Sequence, residues 1–190
     1  NFVVGGGDVS ISIDNVSVRE INPLSVSIQV DGRMTYADTN AQDVTFLRWK
    51  KDTTEQIQHY IVTSSGTGEL RFLQEYNNVN YIIGTGYNYY SPGVLDPFNM
   101  ASRHGSTFIN GAPDGVALTA NTTPVALPDL SSTDLNLGYY YMGTIRNFRV
   151  WDKDLGDTGI AAATAPSLEP TLSLSFDETQ ASYTNKNWSV

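Results

Sequence analysis

Apolar and polar residues alternate with a period of two through most of the chain. From Asp8 to Ile13, three apolar side chains fall on one face and two serines on the other. Successive side chains of a β-strand point to opposite faces, so this pattern predicts strands with one buried and one solvent-facing side. The same alternation recurs in the runs Leu24–Val30, Leu70–Phe72, Val79–Ile83, Val116–Leu118, Leu135–Leu137 and Leu172–Phe176.

Turn residues separate these runs, as in Asp31–Gly32, Gly84–Gly86 and Asn110–Gly111. About ten to twelve short strands at such spacing indicate a sandwich or a barrel. Helical character is confined to a short stretch at Leu155–Ala163 and a possible turn at Asp96–Met100. We therefore predict an all-β fold, a two-sheet antiparallel β-sandwich of the jelly-roll type.

The chain has 190 residues, which suffices for one self-sufficient hydrophobic core. We expect the sandwich to occupy residues 21–165. Residues 1–20 are expected to form a terminal strand segment, and residues 166–190 to supply strands that pack on the sandwich or on a neighbouring subunit. An isolated hairpin cannot bury its apolar face alone. The chain starts at Asn1 without an initiator Met, so we expect it to be a piece of a longer polypeptide.

Composition narrows the possible partners. Lys and Arg number 11 against 20 Asp and Glu, and the formal net charge is −9. Phosphate binding depends on clustered basic residues, and here they are scattered, so we expect no nucleic-acid partner. No apolar run approaches the roughly 20 residues of a membrane-spanning helix, and we expect no membrane partner. The absence of cysteine excludes disulfides, thiol catalysis and cysteine zinc sites.

The chemically active residue types form no catalytic motif. Glu69 and Glu75 lie six residues apart in a strand-like run and so share a face, but strands carry such charges routinely. Glycoside hydrolysis needs two carboxylates roughly 5–10 Å apart. The string Glu-x-Asp-x-x-Glu, which would place such a pair on one strand face, is absent. His59 and His104 are the only histidines, and no partner stands at zinc-ligand spacing. We predict that the chain is not an enzyme.

The roles of the two histidines and of the aspartate clusters are less constrained. His59 is expected on the sheet surface, and His104 at a loop or strand end, as a ligand contact or a structural residue. Calcium prefers clustered oxygen ligands, which Asp38–Asp43 and the group Asp152, Asp154 and Asp157 offer. Neither group follows a dense calcium-loop pattern, which favours ordinary turn and helix-start carboxylates. We expect no cofactor, with calcium as the open case.

Tyrosines are concentrated in two short runs. Tyr87–Tyr90, which reads Tyr-Asn-Tyr-Tyr, is bounded by glycine and proline, and Tyr139–Tyr141 precedes a Met-Gly pair. Tyr and Asn offer stacking area and hydrogen bonds at a small entropic cost, which suits sugars and protein partners alike. Alternate members of a strand point opposite ways, so only part of each run is exposed. A recognition surface and packing within the core or between subunits are both open interpretations.

The segment Gly143–Leu155 resembles the closing strand of concanavalin A-like, laminin-G-like domains. Its pattern G-x-I-x-x-F/L-R-x-W-x-x-x-L ends the sandwich and leads into a short helix. Phe108–Gly111 is similar to the strand and turn that carry "V-N-G" in these domains. The resemblance implies that Leu155 caps the core from the helix, and that four side chains fill the core around a bulge: Ile145, Phe148, Val150 and Trp151.

Other segments look like bacteriophage virion proteins of this type, namely Met100–Gly105, Asn110–Ala112, Leu130–Asp134 and Leu137–Gly138. Ile13–Glu20, with the sequence IDNVSVRE, looks like the last strand of a carbohydrate-binding jelly roll. That likeness implies that residues 1–20 end an upstream module of this kind.

The resemblance implies a virion surface protein, a tail or head fibre or a capsid decoration, whose lectin-like domain recognises host surface glycans. The alternatives are a structural cement or spike protein with no glycan binding, and a secreted adhesion module. We expect the partners to be host glycans or other virion subunits, and the location to be the outer virion surface. Single sugar sites bind weakly, which favours a homo-oligomer. For a glycan site, the candidate residues are Tyr87, Tyr89 and Tyr90 for stacking and Asn88, Arg103, His104 and Asp114 for hydrogen bonds.

Overall fold

Two packed β-sheets form the protein. The computed structural model describes residues 2–3, 25–36, 43–64 and 67–166. Its elements are β1 (Phe2–Val3), β2 (Ser25–Tyr36), β3 (Val44–Lys50), β4 (Gln56–Val62), β5 (Glu69–Tyr76), β6 (Val79–Gly84), β7 (Gly93–Gly105), β8 (Ile109–Pro113), β9 (Asp134–Tyr139), β10 (Met142–Trp151) and α1 (Gly156–Thr164). The six-stranded sheet has the order β1-β9-β3-β4-β5-β6, and the four-stranded sheet has the order β10-β2-β7-β8.

Antiparallel pairing holds for all neighbouring strands in these sheets except β1, which runs parallel to β9. The prediction of a two-sheet antiparallel β-sandwich is confirmed. The strands and the helix α1 that make up the sandwich lie between Ser25 and Thr164, apart from β1.

The core lies between the sheets and follows the alternation of the strands. In β2, the side chains of Val26, Ile28 and Val30 are buried, as the period of two predicts. Phe46 from β3 meets Phe98 from β7 across the interface, with ring centroids 4.7 Å apart. Burying a large apolar side chain contributes roughly 1.5–3 kcal/mol, so contacts of this kind hold the two sheets together.

The closing strand β10 carries the predicted bulge. Its register with β2 shifts between Ile145 and Asn147. The buried carboxylate of Asp31 accepts hydrogen bonds from Nε of Arg146, the extra residue of the bulge, at 3.0 Å and from Asn147 Nδ2 at 2.7 Å. Beyond the bulge, Phe148 packs against both parts of the core.

The helix α1 packs on the side of the four-stranded sheet that faces away from the six-stranded sheet. Ile160 is fully buried against Ala101 and Ala112, and Leu155 packs beside them. The helix predicted at Leu155–Ala163 is therefore confirmed with a shift of one residue.

Two local predictions are wrong. Asp96–Met100 is not a turn but part of β7, because β2 and β8 pair with this strand on both sides and override the local turn signal. Val116–Leu118 lies outside the strands, although Leu118 N donates to Gly111 O at 2.8 Å.

The strands predicted at Asp8–Ile13 and Leu172–Phe176 lie outside the described residues, as does most of the two terminal segments. In the part of the chain that the structure describes, no helix is long and apolar enough to cross a membrane.

Candidate functional site

The residues Tyr87–Tyr90, here called the tyrosine loop, connect β6 to β7 and are held by the turn that precedes β5. Asn88 N donates to Thr67 O at 2.5 Å, and Tyr90 N donates to Gly68 O at 3.0 Å. A side chain at Gly68 would overlap the Tyr90 carbonyl, and its φ of 50° also favours glycine. This close approach fixes the backbone of the tyrosine loop against the sandwich.

Asp114 connects the tyrosine loop to the end of β8. Its Oδ2 accepts hydrogen bonds from the hydroxyls of Tyr89 at 3.1 Å and Tyr90 at 3.0 Å. Its Oδ1 accepts from Asn99 N at 3.0 Å, while Asp114 N donates to Asn99 O at 2.7 Å. One carboxylate therefore sets the positions of two tyrosine rings, which stand edge to face with centroids 4.9 Å apart.

The three tyrosines of the loop differ in exposure. Tyr87 is 72% exposed, Tyr89 is 39% exposed and Tyr90 is 9% exposed. The Tyr90 carbonyl accepts a hydrogen bond from Tyr36 Oη at 2.7 Å, so Tyr90 is part of the core. Burial and the nearby Asp114 carboxylate raise the pKa of Tyr89 to about 12 and that of Tyr90 further. Tyr87 and Tyr89 are thus accessible rings on a fixed backbone, and Asn88 lies exposed between them.

Arg103 belongs to a different place in the molecule. Its Nε donates to Asp157 at 2.7 Å, its Nη1 donates to Asp154 at 2.9 Å, and its guanidinium lies 4.4 Å from the centre of the Phe108 ring. These contacts connect β7 to the beginning of α1. The structure gives Arg103 a role in holding the helix, and it does not bring this residue to the tyrosine loop.

Both histidines are fully buried in the core. The expectation that His59 lies on the sheet surface is wrong, because its strand position faces the opposite sheet. His104 alternates with Arg103 along β7 and points inward, so its side chain cannot reach a ligand at the surface. Burial lowers the pKa of both imidazoles, that of His104 to about 3.

Glu69 and Glu75 lie on one face of β5, as predicted, but they are engaged separately. Glu69 accepts a hydrogen bond from Arg71, and Glu75 accepts one from Gln56. Six residues of strand span about 20 Å, which is too far for two carboxylates that act across one sugar ring.

Within the described ranges, no group of three or more His, Asp or Glu side chains is arranged to hold a metal ion. Two of the aspartates that suggested calcium, Asp154 and Asp157, form ion pairs with Arg103 instead. Most of the other aspartate group, residues 37–42, lies outside the described residues.

The side of the six-stranded sheet that faces away from the four-stranded sheet, here called the outer face, carries mostly polar side chains, several of which are buried. Strand pairing aligns its side chains in three rows across β9, β3, β4, β5 and β6. These rows are Tyr139-Thr45-Tyr60-Arg71-Gly84, Asn136-Arg48-Gln58-Leu73-Ile82 and Asp134-Lys50-Gln56-Glu75-Asn80. Sequence analysis missed this surface. The alternation identified the polar face of single strands, but the order of strands in the sheet decides which polar residues become neighbours.

Comparisons with known proteins agree with this architecture. No family model matches the chain, and no curated protein matches it. Among solved structures, it is similar to the CBM40 domain of a Ruminococcus gnavus IT-sialidase, with 13% identity over 76% of this chain and 84% of that chain and a TM-score of 0.55. The chain shares the two-sheet β-sandwich fold of this domain.

Two further neighbours are parts of larger proteins. A leech intramolecular trans-sialidase shares 15% identity over 77% of this chain and 24% of that chain, with a TM-score of 0.58. The binding domain of botulinum neurotoxin DC, solved with rat synaptotagmin II, shares 16% identity over 73% of this chain and 35% of that chain, with a TM-score of 0.54. Identities this low establish the fold and leave activity to be argued from the residues.

Proposed function

We propose that this chain is a non-enzymatic glycan-recognition domain that binds through the tyrosine loop. The observation that carries the proposal is the pair of hydrogen bonds from Tyr89 and Tyr90 to one Asp114 carboxylate. They orient the loop before any ligand arrives, so little side-chain freedom is lost on binding. Exposed tyrosine rings stack on the apolar faces of sugars and offer a hydroxyl at the rim.

The structural neighbours support recognition of glycans in general terms. Solved structures of the Ruminococcus gnavus domain contain sialyllactose, and a related botulinum neurotoxin type C structure concerns two ganglioside molecules. The same β-sandwich thus serves glycan binding in other proteins. Transfer of that activity to this chain rests on the tyrosine loop and not on the fold.

We also propose a finer role, that of a bacteriophage virion surface protein in a tail or head fibre or a capsid decoration. Its support is the likeness of Met100–Gly105 and Asn110–Ala112 to virion proteins. Display in many copies, as in a homo-oligomer on a repetitive particle, would raise the avidity of a weak single site.

The test is binding of multivalent, labelled protein to candidate host cells with and without their surface polysaccharide. Tyr87→Ala and Tyr89→Ala should each reduce polysaccharide-dependent binding. Tyr76→Ala is the control, because Tyr76 lies at the far end of β5, about 20 Å along the strand from the turn that holds the loop. Equal binding by all three variants, or binding that survives removal of the polysaccharide, would contradict the proposal.

A structural role between subunits is the second candidate, and the exposure of Val94 and Leu95 favours it. These side chains are 77% and 46% exposed directly after the tyrosine loop. If the tyrosine loop packs between virion subunits, Tyr87→Ala should weaken oligomerisation and leave cell binding unchanged. Sedimentation of the wild-type and variant proteins at matched concentrations distinguishes the two functions.

A further inference from the structure

The outer face carries an arginine whose binding end is free. Arg48 Nε donates to Gln56 Oε1 at 3.2 Å, and the guanidinium lies 5.7 Å from the centre of the Tyr139 ring. Among the described residues, no carboxylate pairs with Arg48, and its two terminal Nη groups form no hydrogen bond. Arg33 and Arg149 likewise form no ion pair among the described residues, but Arg48 differs from them in its place on the outer face beside the exposed Tyr139.

Arg48 is also held in place by neighbouring residues of β4 and β5 on the same face. Gln56 Nε2 donates to Glu75 Oε2 at 2.6 Å, and both residues are buried, so the Gln56 amide is turned with its oxygen towards Arg48. Arg48 Nε already donates to Gln56, and the Tyr139 ring lies near the guanidinium. The edge formed by the two Nη groups therefore remains available to a ligand. That edge matches the two oxygens of a carboxylate, which it binds through parallel hydrogen bonds.

The neighbours of Arg48 suit a sugar. Asn136 is the cross-strand neighbour of Arg48 on β9, and Lys50 lies two residues along the same strand face, about 7 Å away. The rings of Tyr139 and Tyr140 are 41% and 57% exposed, with centroids 4.3 Å apart, beside the guanidinium. Tyr140 has a φ of 52°, a conformation rare for a bulky residue and concentrated at functional sites.

We propose that Arg48, Lys50, Asn136, Tyr139 and Tyr140 form a second site, which binds the carboxylate of an acidic sugar. Arg48 pairs with the carboxylate, Lys50, whose cross-strand neighbour is Asp134, supplies an N–H donor, and the two tyrosines contact the sugar ring. Asn136 supplies a donor and an acceptor for hydroxyl groups. The inference rests on the proposed function, because the ligand is again a glycan. It concerns another face of the molecule and one class of glycan, those that carry a carboxylate.

The experiment compares carboxylated glycans with uncharged versions of the same molecule. The probes are 3′-sialyllactose and a glucuronic acid-containing hyaluronan oligosaccharide, each on a polymer and each as the acid and as the carboxyl methyl ester. We expect the wild-type protein to bind at least one acid about tenfold or more tightly than its ester, since hydrogen bonds to charged groups of this kind are worth that much. The probe that shows the preference identifies the source of the carboxylate.

Arg48→Gln should abolish the preference for the acid, so that the variant binds the acid no more tightly than the ester. Arg149→Gln is the matched control: Arg149 lies on β10 of the other sheet, donates through Nη1 to Gln29, and loses the same charge when replaced. Circular dichroism confirms folding of both variants. Equal binding of acid and ester by the wild type, or equal losses in the two variants, would overturn the inference.

The result separates this site from the tyrosine loop. Loss of acid preference in Arg48→Gln, with no effect of Tyr87→Ala on cell binding, would retain the second site and reject the tyrosine loop. Binding of host polysaccharide that depends on Tyr87 but shows no acid preference would reject only the second site. A wild-type protein that binds neither carboxylated probe overturns the second site outright.

Discussion

His59 and His104 stack in the core with ring centroids 6.1 Å apart and share one hydrogen-bonding partner. Ser102 Oγ lies 2.6 Å from His59 Nε2 and 2.8 Å from His104 Nε2. His59 comes from the six-stranded sheet and the other two residues from β7, so this polar chain joins the two sheets through an otherwise apolar core.

The order of donors along this chain follows from Gln74. Its Nε2 donates to two backbone carbonyls, so its Oε1 accepts from His104 Nδ1 at 3.2 Å. His104 Nε2 then accepts from the Ser102 hydroxyl, and Ser102 Oγ accepts from His59 Nε2. His59 Nδ1 is left as an unprotonated nitrogen, and it has no hydrogen-bond partner among the described residues.

Acid should destabilise the protein through these two histidines. Burial lowers the pKa of His104 to about 3 and that of His59 well below its ordinary value. Below the unfolded-state pKa of about 6.5, the two histidines bind protons in the unfolded chain but stay neutral in the folded one. The free energy of unfolding that is present above that pH is therefore lost as pH falls towards 3. Each histidine contributes a slope of up to about 1.4 kcal/mol per pH unit. Urea unfolding at pH 7, 6, 5 and 4 measures how the free energy of unfolding depends on pH. His59→Gln should reduce that dependence. An unchanged slope would contradict the buried neutral state of His59.

Ser102→Ala should be strongly destabilising for its size. The change leaves a donor on His59 and an acceptor on His104 buried without a partner, and each such group costs about 1–3 kcal/mol. We expect a loss of about 2–5 kcal/mol in the free energy of unfolding, measured by denaturant titration at pH 7. Ser106→Ala, at an exposed position four residues along the chain, is the control and should change stability by less than about 0.5 kcal/mol.

Asp114→Asn should lower the pKa of Tyr89. Burial and the Asp114 carboxylate together hold that pKa at about 12. The variant removes the charge and, since Oδ1 accepts from Asn99 N, replaces the acceptor Oδ2 by an amide NH2 donor. Asn tolerates the backbone conformation of residue 114, whose φ is 47°, so no new strain is introduced. NMR titration of ring-labelled tyrosine between pH 8 and 12 measures the shift. A Tyr89 resonance that titrates identically in both proteins would mean that the hydroxyl does not contact Asp114.

Gly111→Ala should destabilise the sandwich by overpacking. A Cβ at this position would overlap the ring of Phe72 on the opposite sheet. Overpacking of a core costs typically about 1–3 kcal/mol, and thermal unfolding should show a correspondingly lower Tm. The double variant Gly111→Ala/Phe72→Leu tests the cause, because a smaller side chain relieves the overlap. If the two losses simply add, the destabilisation has another origin.

Arg103→Gln should affect stability and not recognition. The variant removes the ion pairs to Asp154 and Asp157, which hold the beginning of α1, and the contact with the Phe108 ring. We expect faster hydrogen exchange in α1 and unchanged cell binding in the multivalent assay. Reduced cell binding with an intact helix would restore Arg103 to the candidate glycan site.

Much of the architecture could be predicted from local patterns. The alternation identified inward-facing side chains in Val26–Val30 and Leu70–Phe72, and the resemblance of Gly143–Leu155 to concanavalin A-like domains implied a closing strand, a bulge and a helix in the right order. The pattern was misleading at Asp96–Met100, where pairing with two neighbouring strands outweighs the local turn signal.

The candidate site was predictable only in part. The tyrosine loop stands out by composition, and its proximity to Asp114 is a contact between residues 24 and 25 positions apart. His104 and Arg103 were grouped with it, but they are adjacent strand residues, so one points into the core and the other towards α1. The neighbours of Arg48 come from β9 and β4, which are far apart in the sequence.

By itself, the sequence determined that the chain is built mainly of strands and, where apolar and polar residues alternate, which face of a strand is apolar, because a two-residue period is a local property of the chain. Only the tertiary structure decided which strands are neighbours, and therefore which polar side chains meet. Strand order is set by burial summed over both sheets, and no single segment records it. For that reason the all-β fold can be predicted from the sequence. The Asp114 contacts and the surface around Arg48 form only when the sheets assemble, and they require the tertiary structure.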